Sequence, residues 1–188
     1  MAVTIGTNTI TGISLGGLPD GSIANQDMGY AGAPLQVVSV RSRTQASYTA
    51  PNSGNGGNIA VLNMTLTPKK AGNLIVLEYM VHSECNSYDI VYTITRNDVL
   101  LANSTNGTNR WSGIATNHYD RDYSSTPVID AITFVDTNSL SVSTTYKLLV
   151  RSSNSSARTY RLNRPYNSAG TDSYEAGVSV VVATEINT

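Results

Sequence analysis

Residues 74–82 read "LIVLEYMVH", and this run decides the class of fold. It is nearly continuously apolar, yet it is far shorter than the ~20 residues that a membrane-spanning helix needs. A short apolar run of this kind is typical of a β-strand that is covered on both faces. The sequence therefore predicts a strand here that is buried on both sides.

The segments that flank this run alternate between apolar and polar residues. Upstream, "IAVLNMTLTP" (59–68) alternates from Leu62 to Leu66. Downstream, "YDIVYTITR" (88–96) alternates in the same way, and "ND" at 97–98 provides a turn before the apolar "VLLA". The alternation in 59–68 predicts a half-buried strand, and the turn after 88–96, with the apolar run that follows it, predicts a β-hairpin.

Further strand-like segments follow along the chain, while no segment shows the apolar periodicity of a helix. They are "LQVVSV" (35–40), "WSGIAT" (111–116), "VIDAITFVD" (128–136), "TTYKLLVRS" (144–152), "ARTYRL" (157–162) and "AGVSVVVATEI" (176–186). About nine strands at this spacing predict an all-β fold, an antiparallel β-sandwich. A jelly roll is favoured because the last strand is strongly apolar, and an immunoglobulin-like sandwich is the alternative, although its Cys…Trp…Cys pattern is absent.

Composition excludes several classes of partner. Only 13% of the residues are charged and the formal net charge is −1, so the chain lacks the basic surface expected of a protein that binds nucleic acid.

Cys85 is the only cysteine, so no disulfide can form within the chain. No basic segment precedes an apolar run at the N-terminus and no run is long enough to cross a bilayer, so we expect no membrane insertion.

Residues 1–34 differ from the rest of the chain. They lack sustained periodicity and are rich in glycine, which predicts an extended N-terminal attachment arm before a knob domain at 35–188. Within the arm, "ISLGGLPDGSI" (13–23) has apolar side chains spaced between its turn residues. We expect Pro19 to restrict the backbone, so that less entropy is lost on docking. The predicted docking anchors are Ile13, Leu15, Leu18 and Ile23.

Candidates for catalysis or metal binding are few. His82 and Cys85 lie three residues apart, which on an extended strand places them on opposite faces. His118 is followed by Asp120 and Asp122, whose alternate carboxylates suit Ca²⁺, but no glycine turn or distant Glu completes such a loop, and a solvated loop is favoured. The sequence therefore predicts no catalytic residues, no metal site and no cofactor.

A cluster of arginine and tyrosine lies in "RSSNSSARTYRLNRPY" (151–166). Such a mixture binds phosphates, stacks on sugars or lies at protein interfaces, while the alternative is a hairpin whose outward positions are charged for solubility. The residues predicted to form an interface are Arg151, Arg158, Tyr160, Arg161 and Arg164.

The front of the chain resembles a known family. "ITGISLGGLPDGSI" (10–23), then "ANQDM", and the "LQVVSV" that follows at 35–40 resemble the N-terminal region of small virion structural proteins of tailed bacteriophages, of the head-decoration and tail-fibre type. The resemblance covers about 40 residues. It implies a homotrimeric knob similar to the tumour-necrosis-factor architecture, on the exterior of a virion that is assembled in the host cytoplasm.

Three functions compete on these observations. The first is a capsid cement or decoration protein, whose arm docks on the major capsid protein or another virion protein and stabilises the shell. The second is a short tail fibre or fibre tip that binds a host-surface glycan. The third, a carbohydrate-processing enzyme, lacks any recognisable pair of catalytic carboxylates. The absence of heptads or long repeats of a fibre shaft favours the cement protein.

Overall fold

The computed structural model describes residues 31–85, 90–101, 113–117, 127–137, 140–166 and 175–188, together with the backbone of residues 4–5 and 10–11. The described chain is all β apart from one short 3-10 turn, Ala60–Leu62, and its strand pairs are antiparallel. No helix in this part of the chain is long and apolar enough to cross a membrane. The predicted all-β class is confirmed.

Fourteen strands are described, eight of which have five or more residues. These eight are β3 (Pro34–Ser42), β4 (Ala46–Ala50), β7 (Leu74–Cys85), β8 (Ile90–Arg96), β11 (Val128–Thr137), β12 (Thr144–Ser152), β13 (Arg158–Leu162) and β14 (Ser179–Ile186). The shorter ones are β1 (Thr4–Ile5), β2 (Ile10–Thr11), β5 (Gly57–Asn58), β6 (Met64–Leu66), β9 (Val99–Leu100) and β10 (Ala115–Thr116). Strands β1 and β2 pair only with each other among the described strands.

The other strands form two sheets that pack into a sandwich. In sheet I, the long strand β7 pairs along one edge with β11 and along the other with β14 and then β13; β3 extends the sheet beyond β14, and β4 extends it beyond β13. Sheet II is built on β8 and β12, which β5, β6, β9 and β10 flank. The sandwich is therefore established, while the jelly-roll connection pattern remains a prediction.

The core lies between the sheets and follows the alternation of the strands. On β7, Ile75, Leu77 and Tyr79 face inward and are buried. On β12, Tyr146, Leu148 and Val150 do the same from the opposite sheet, as their spacing predicts. The two sets belong to one continuous apolar cluster, and the period-two pattern identified the inward residues of β12 correctly.

The hairpin predicted at residues 97–98 is confirmed. Asn97 and Asp98 have positive φ angles of 48° and 66°, and Arg96 pairs with Val99 directly across the turn. Two consecutive left-handed residues match the twist of the flanking strands, and Asn and Asp tolerate this conformation better than most residues. The local sequence therefore determined this connection.

Two predictions about individual strands need correction. The run 59–68 forms a strand only at Met64–Leu66, because the preceding Ala60–Leu62 turns, although Leu62 is buried as predicted. Strand β7 is not buried on both faces, since Glu78 and Met80 on its outward side are exposed in this chain. Strand β4 at Ala46–Ala50 was not predicted, because it is short and two of its three inward residues are alanines, which give a weak apolar signal.

The predicted boundary between arm and knob lies close to the first residues of sheet I. Strand β3 begins at Pro34, and pairing with the C-terminal end of the chain starts slightly earlier. The Gly32 amide donates to the Asn187 carbonyl at 2.8 Å, and the Asn187 amide donates to the Ala33 carbonyl at 2.8 Å. Ala33 is buried. Backbone pairing with the C-terminal end therefore begins at about residue 32, while the division into arm and knob stays a prediction.

Candidate functional site

The outward side of sheet I carries an unusual concentration of apolar residues. Register pairs place four strands side by side there, and alternate residues of each point away from the core. We call this surface the outer face; it comprises Ile129, Ala131, Thr133 and Val135 of β11, Val76, Glu78 and Met80 of β7, Val180, Val182 and Thr184 of β14, and Val37, Ser39 and Arg41 of β3.

Several large apolar side chains on the outer face are exposed. The exposed fractions are 62% for Val37, 43% for Met80, 60% for Ile129 and 51% for Val135. Single exposed apolar residues are ordinary on protein surfaces, but a contiguous group of them marks an interaction surface. The outer face is therefore the candidate functional site of the described chain.

Sheet II is covered on the corresponding side by the chain itself. Val91 and Leu149 point away from the core, yet both are buried. The Thr93 hydroxyl donates to the Asn55 carbonyl at 2.9 Å, and the Arg151 guanidinium donates to the Asn52 carbonyl at 2.9 Å, so the loop at 51–56 lies over this side. Among the described residues the two sheets thus differ, because sheet I presents apolar outward residues to solvent, whereas Val91 and Leu149 of sheet II are buried.

Two permanent charges lie on the outer face. Glu78 is in the middle of the face, with Thr133 on one side and Val182 on the other, and Arg41 lies near one corner beside Val180. Both side chains are exposed, and within the described residues neither makes a hydrogen bond or an ion pair. Each charge is therefore available to a partner.

His82 lies at one end of the outer face, next to Ile129. Burial lowers the pKa of His82 below its ordinary value, so the neutral imidazole is favoured in the folded protein. Gly177 approaches the ring so closely that a Cβ at this position would overlap it. Cys85, by contrast, points into the core and its Sγ contacts the Thr159 carbonyl at 3.3 Å, so the two side chains are on opposite faces as predicted.

A buried polar cluster joins the two sheets near one end of β11. The Asp130 carboxylate accepts hydrogen bonds from the Tyr92 hydroxyl at 2.6 Å and from the Asn117 amide at 2.6 Å. The hydroxyls of Tyr92 and Tyr160 are 2.8 Å apart, and their rings meet edge to face. Burial, Tyr160 and the neighbouring carboxylate raise the pKa of Tyr92 well above its ordinary value. The phenol therefore keeps its proton and serves as a donor.

A second inward carboxylate fixes the other end of β11. Asp136 accepts two hydrogen bonds from the Arg96 guanidinium, at 2.8 and 3.0 Å, and one from the Tyr146 hydroxyl at 2.7 Å. Burial, followed by the contact with Asp136, raises the pKa of Tyr146. Because Arg96 is on β8 and Tyr146 on β12, this cluster also bonds sheet I to sheet II.

Glu185 is a buried carboxylate that organises the turn before β7. It accepts from the backbone amide of Lys69 at 2.8 Å, from that of Lys70 at 3.3 Å and from the Asn73 side chain at 2.6 Å, and Gln36 donates to it as well. Burial alone would raise the pKa of Glu185, but these hydrogen bonds together outweigh it and hold the pKa below its ordinary value. The side chain is a structural anion.

The arginine and tyrosine residues predicted to form an interface do not lie together on a surface. Arg151 and Tyr160 are buried: Arg151 binds the loop over sheet II, and Tyr160 belongs to the cluster around Asp130. Both side chains are therefore enclosed by this chain itself, and their role in an interface stays a prediction. Arg158, Arg161 and Arg164 are half-exposed, and Arg161 packs over the Tyr166 ring at 5.2 Å. For these three the interface stays a prediction.

Other sequence-based candidates lie outside the described residues. These are the arm anchors Ile13, Leu15, Leu18, Pro19 and Ile23, and the loop residues His118, Asp120 and Asp122. In the part of the chain that the structure describes, no group of three His, Cys, Asp or Glu side chains could hold a metal ion.

The outer face itself was missed by the sequence reasoning, although a signal was present. The segment 176–186 has valines on both of its alternating sets, and the run 74–82 is apolar at nearly every position. A sandwich strand needs only one apolar face, so apolar residues on both indicate that something outside the sheet covers the second.

Comparisons with known proteins do not assign the chain to a family. A scan against protein-family models gives no match, and a search of curated proteins gives no significant relative. The fold and the outer face define the chain as an all-β sandwich protein with exposed apolar residues on the outward side of one sheet.

Proposed function

We propose that the chain is a non-enzymatic structural protein of a tailed-bacteriophage virion, a trimeric cement or decoration protein. In this role the arm at 1–34 docks on the major capsid protein, and knobs that associate with one another stabilise the shell from outside. The observation that carries the proposal is the outer face of sheet I. A protein that works by assembly needs such a contact surface, whereas catalysis needs ionisable groups directed at a substrate.

The placement of the buried titratable groups supports a structural role. Asp130, Asp136 and Glu185 all accept several hydrogen bonds from the protein itself. A carboxylate that is saturated in this way holds strands and turns in register and has little capacity left to move a proton for a substrate. The resemblance at residues 10–40 supplies the virion setting, since a sandwich fold by itself hosts many functions.

The test is the number and position of copies on particles that contain the chain. We expect quantitative mass spectrometry of purified virions to give hundreds of copies per particle, and an antibody against the knob to label the shell. A few dozen copies, with label confined to the tail, would contradict the cement role and establish the fibre. Hydrolysis of host polysaccharide by the purified chain would instead overturn the non-enzymatic assignment.

A further inference from the structure

The size of the outer face sets what can cover it. Four strands about 4.8 Å apart carry three complete rows of outward residues about 6.8 Å apart, with Ile129 beyond one end, which gives a surface of about 400 Å². Eight of the thirteen residues of the outer face are apolar, and exposed apolar groups of this extent often have a function. A standard protein interface buries about 800 Å² on each partner, so the outer face with its rim is of the size that a protein partner covers.

The charges on the outer face identify the kind of partner. It carries one acidic and one basic side chain, Glu78 and Arg41, which lie two strands apart and are unpaired within the described residues. Covering an unpaired charge with an apolar surface is costly, so a partner must supply a base opposite Glu78 and an acid opposite Arg41. A second copy of the same face supplies both.

We propose that a second copy of this chain packs on the outer face, with Glu78 of one copy next to Arg41 of the other. Val180, Val182 and Met80 lie between or beside the two charges and form the apolar centre of the contact. The loop at 51–56 of the same chain covers the outward side of sheet II. The outward side of sheet I would be covered instead by the second copy. A face that meets its own copy forms a two-fold dimer, so this contact goes beyond the three-fold association of the proposed function, and it does not depend on location in a virion.

The first experiment compares the mass of the full-length protein in solution with that of single variants, using sedimentation velocity. We expect the wild type to be an oligomer, and Met80→Glu to weaken association at least about tenfold, because it places a second acid beside Glu78. The matched controls are Val99→Glu and Val142→Glu, at positions that are 65% and 58% exposed but lie outside the outer face. Both controls should associate like the wild type.

The second experiment exchanges the charges. Glu78→Arg leaves two bases on the face and Arg41→Glu leaves two acids, so each variant alone should associate weakly. A mixture of the two should associate more strongly than either alone, because each copy then finds the opposite charge in the other. Both substitutions are at exposed positions, and thermal unfolding of each variant verifies that the knob is intact.

Four results would overturn the inference. The first two are a wild type that is monomeric at concentrations of tens of micromolar, and an oligomer that the Met80→Glu substitution leaves intact. The third is a loss of association in the two control variants equal to the loss in Met80→Glu. The fourth is a mixture of the two charge variants that associates no more strongly than either variant alone. Protection of the outer face from hydroxyl-radical labelling in a monomer would show that another segment of the same chain covers it. None of these results bears on copy number per virion, so the proposed location can fail separately.

Discussion

Tyr92 and Tyr79 use their buried hydroxyl groups differently. The Tyr92 hydroxyl bonds to Asp130 and Tyr160, whereas the Tyr79 hydroxyl is buried and has no partner among the described residues. Burial raises the pKa of both phenols, so both are neutral at all ordinary pH values. The cost of removing each hydroxyl therefore depends on its hydrogen bonds and not on its charge.

We expect Tyr92→Phe to lower the free energy of unfolding by about 1–3 kcal/mol, because it leaves Asp130 and Tyr160 with a lost partner. Tyr79→Phe removes a hydroxyl that makes no bond in the described chain, and should change the free energy by less than about 0.5 kcal/mol or increase it. Urea unfolding of the two variants measures the difference. Equal losses would contradict the assigned network.

Glu185 makes the free energy of unfolding depend on pH in the acidic range. Its folded-state pKa is below the ordinary value of 4.5, so the unfolded chain takes up the proton first as the pH falls. The stabilisation is fully present above about pH 4.5 and is lost as the pH falls through the folded-state pKa.

We expect the free energy of unfolding of the wild type to decline below about pH 4.5, and Glu185→Gln to decline less over the same range. At pH 7 the variant should be less stable by about 2 kcal/mol, because an amide cannot accept all the bonds from Lys69, Lys70 and Asn73. Thermal unfolding as a function of pH measures both effects. Parallel curves for the two proteins would assign the acid sensitivity to other groups.

At the scale of elements, β11 shows how a long strand with one described partner is fixed. Its inward carboxylates, Asp130 and Asp136, bond to residues of sheet II near its two ends, with Ile132 between them in the core. A shift of one residue would turn both carboxylates to the outside and expose Ile132. The register of β11 is therefore set by side chains of the opposite sheet as well as by its neighbour β7.

The β8–β9 turn offers a test of local conformation. Asp98 has a φ angle of 66°, and its carboxylate pairs with the Lys147 ammonium at 2.6 Å on the surface. Asp98→Gly and Asp98→Val both remove this pair, but only valine is strained at positive φ. We expect Asp98→Val to be less stable than Asp98→Gly by about 1–2 kcal/mol in urea unfolding. Equal stability would mean that the turn changes conformation in the variants.

The strands and turns that the sequence predicted correctly are those whose patterns lie within a few consecutive residues. The alternation in β8 and β12 and the Asn97–Asp98 turn depend on residues a few positions apart, and these predictions were confirmed. The burial of Arg151 and Tyr160 could not be predicted from the sequence, because arginine and tyrosine occur both on surfaces and in interior sites where their polar groups are hydrogen-bonded. The interior position of Arg151 is determined by the loop at 51–56, and that of Tyr160 by the cluster around Asp130.

At the scale of the whole molecule, the boundary of the knob follows from backbone pairing. A chain that begins at Ala31 keeps the bonds between Gly32, Ala33 and Asn187, whereas one that begins at Leu35 loses them and the burial of Ala33. We expect the first to unfold within a few degrees of the full-length protein. The second should lose about 1–3 kcal/mol of unfolding free energy. Thermal unfolding compares them, and equal stability would place the boundary later.

The same pair of truncations tests the arm. Both lack the predicted anchors Ile13, Leu15, Leu18 and Ile23, so both should fail to bind particles to which the full-length chain binds. Co-sedimentation with particles stripped of the chain measures this binding. Normal binding by the version that begins at Ala31 would show that attachment does not need the arm.

The sequence by itself determined the all-β class, the inward residues of β8 and β12 and the tight turn at Asn97–Asp98, because each depends on a two-residue alternation or on local backbone preference. Tertiary structure alone decided the strand order, the burial of Arg151 and Tyr160, and the exposure of apolar residues on β7 and β11. These depend on which distant segments pair and cover one another. An apolar residue such as Met80 has the same local pattern whether its own chain or a second copy covers it.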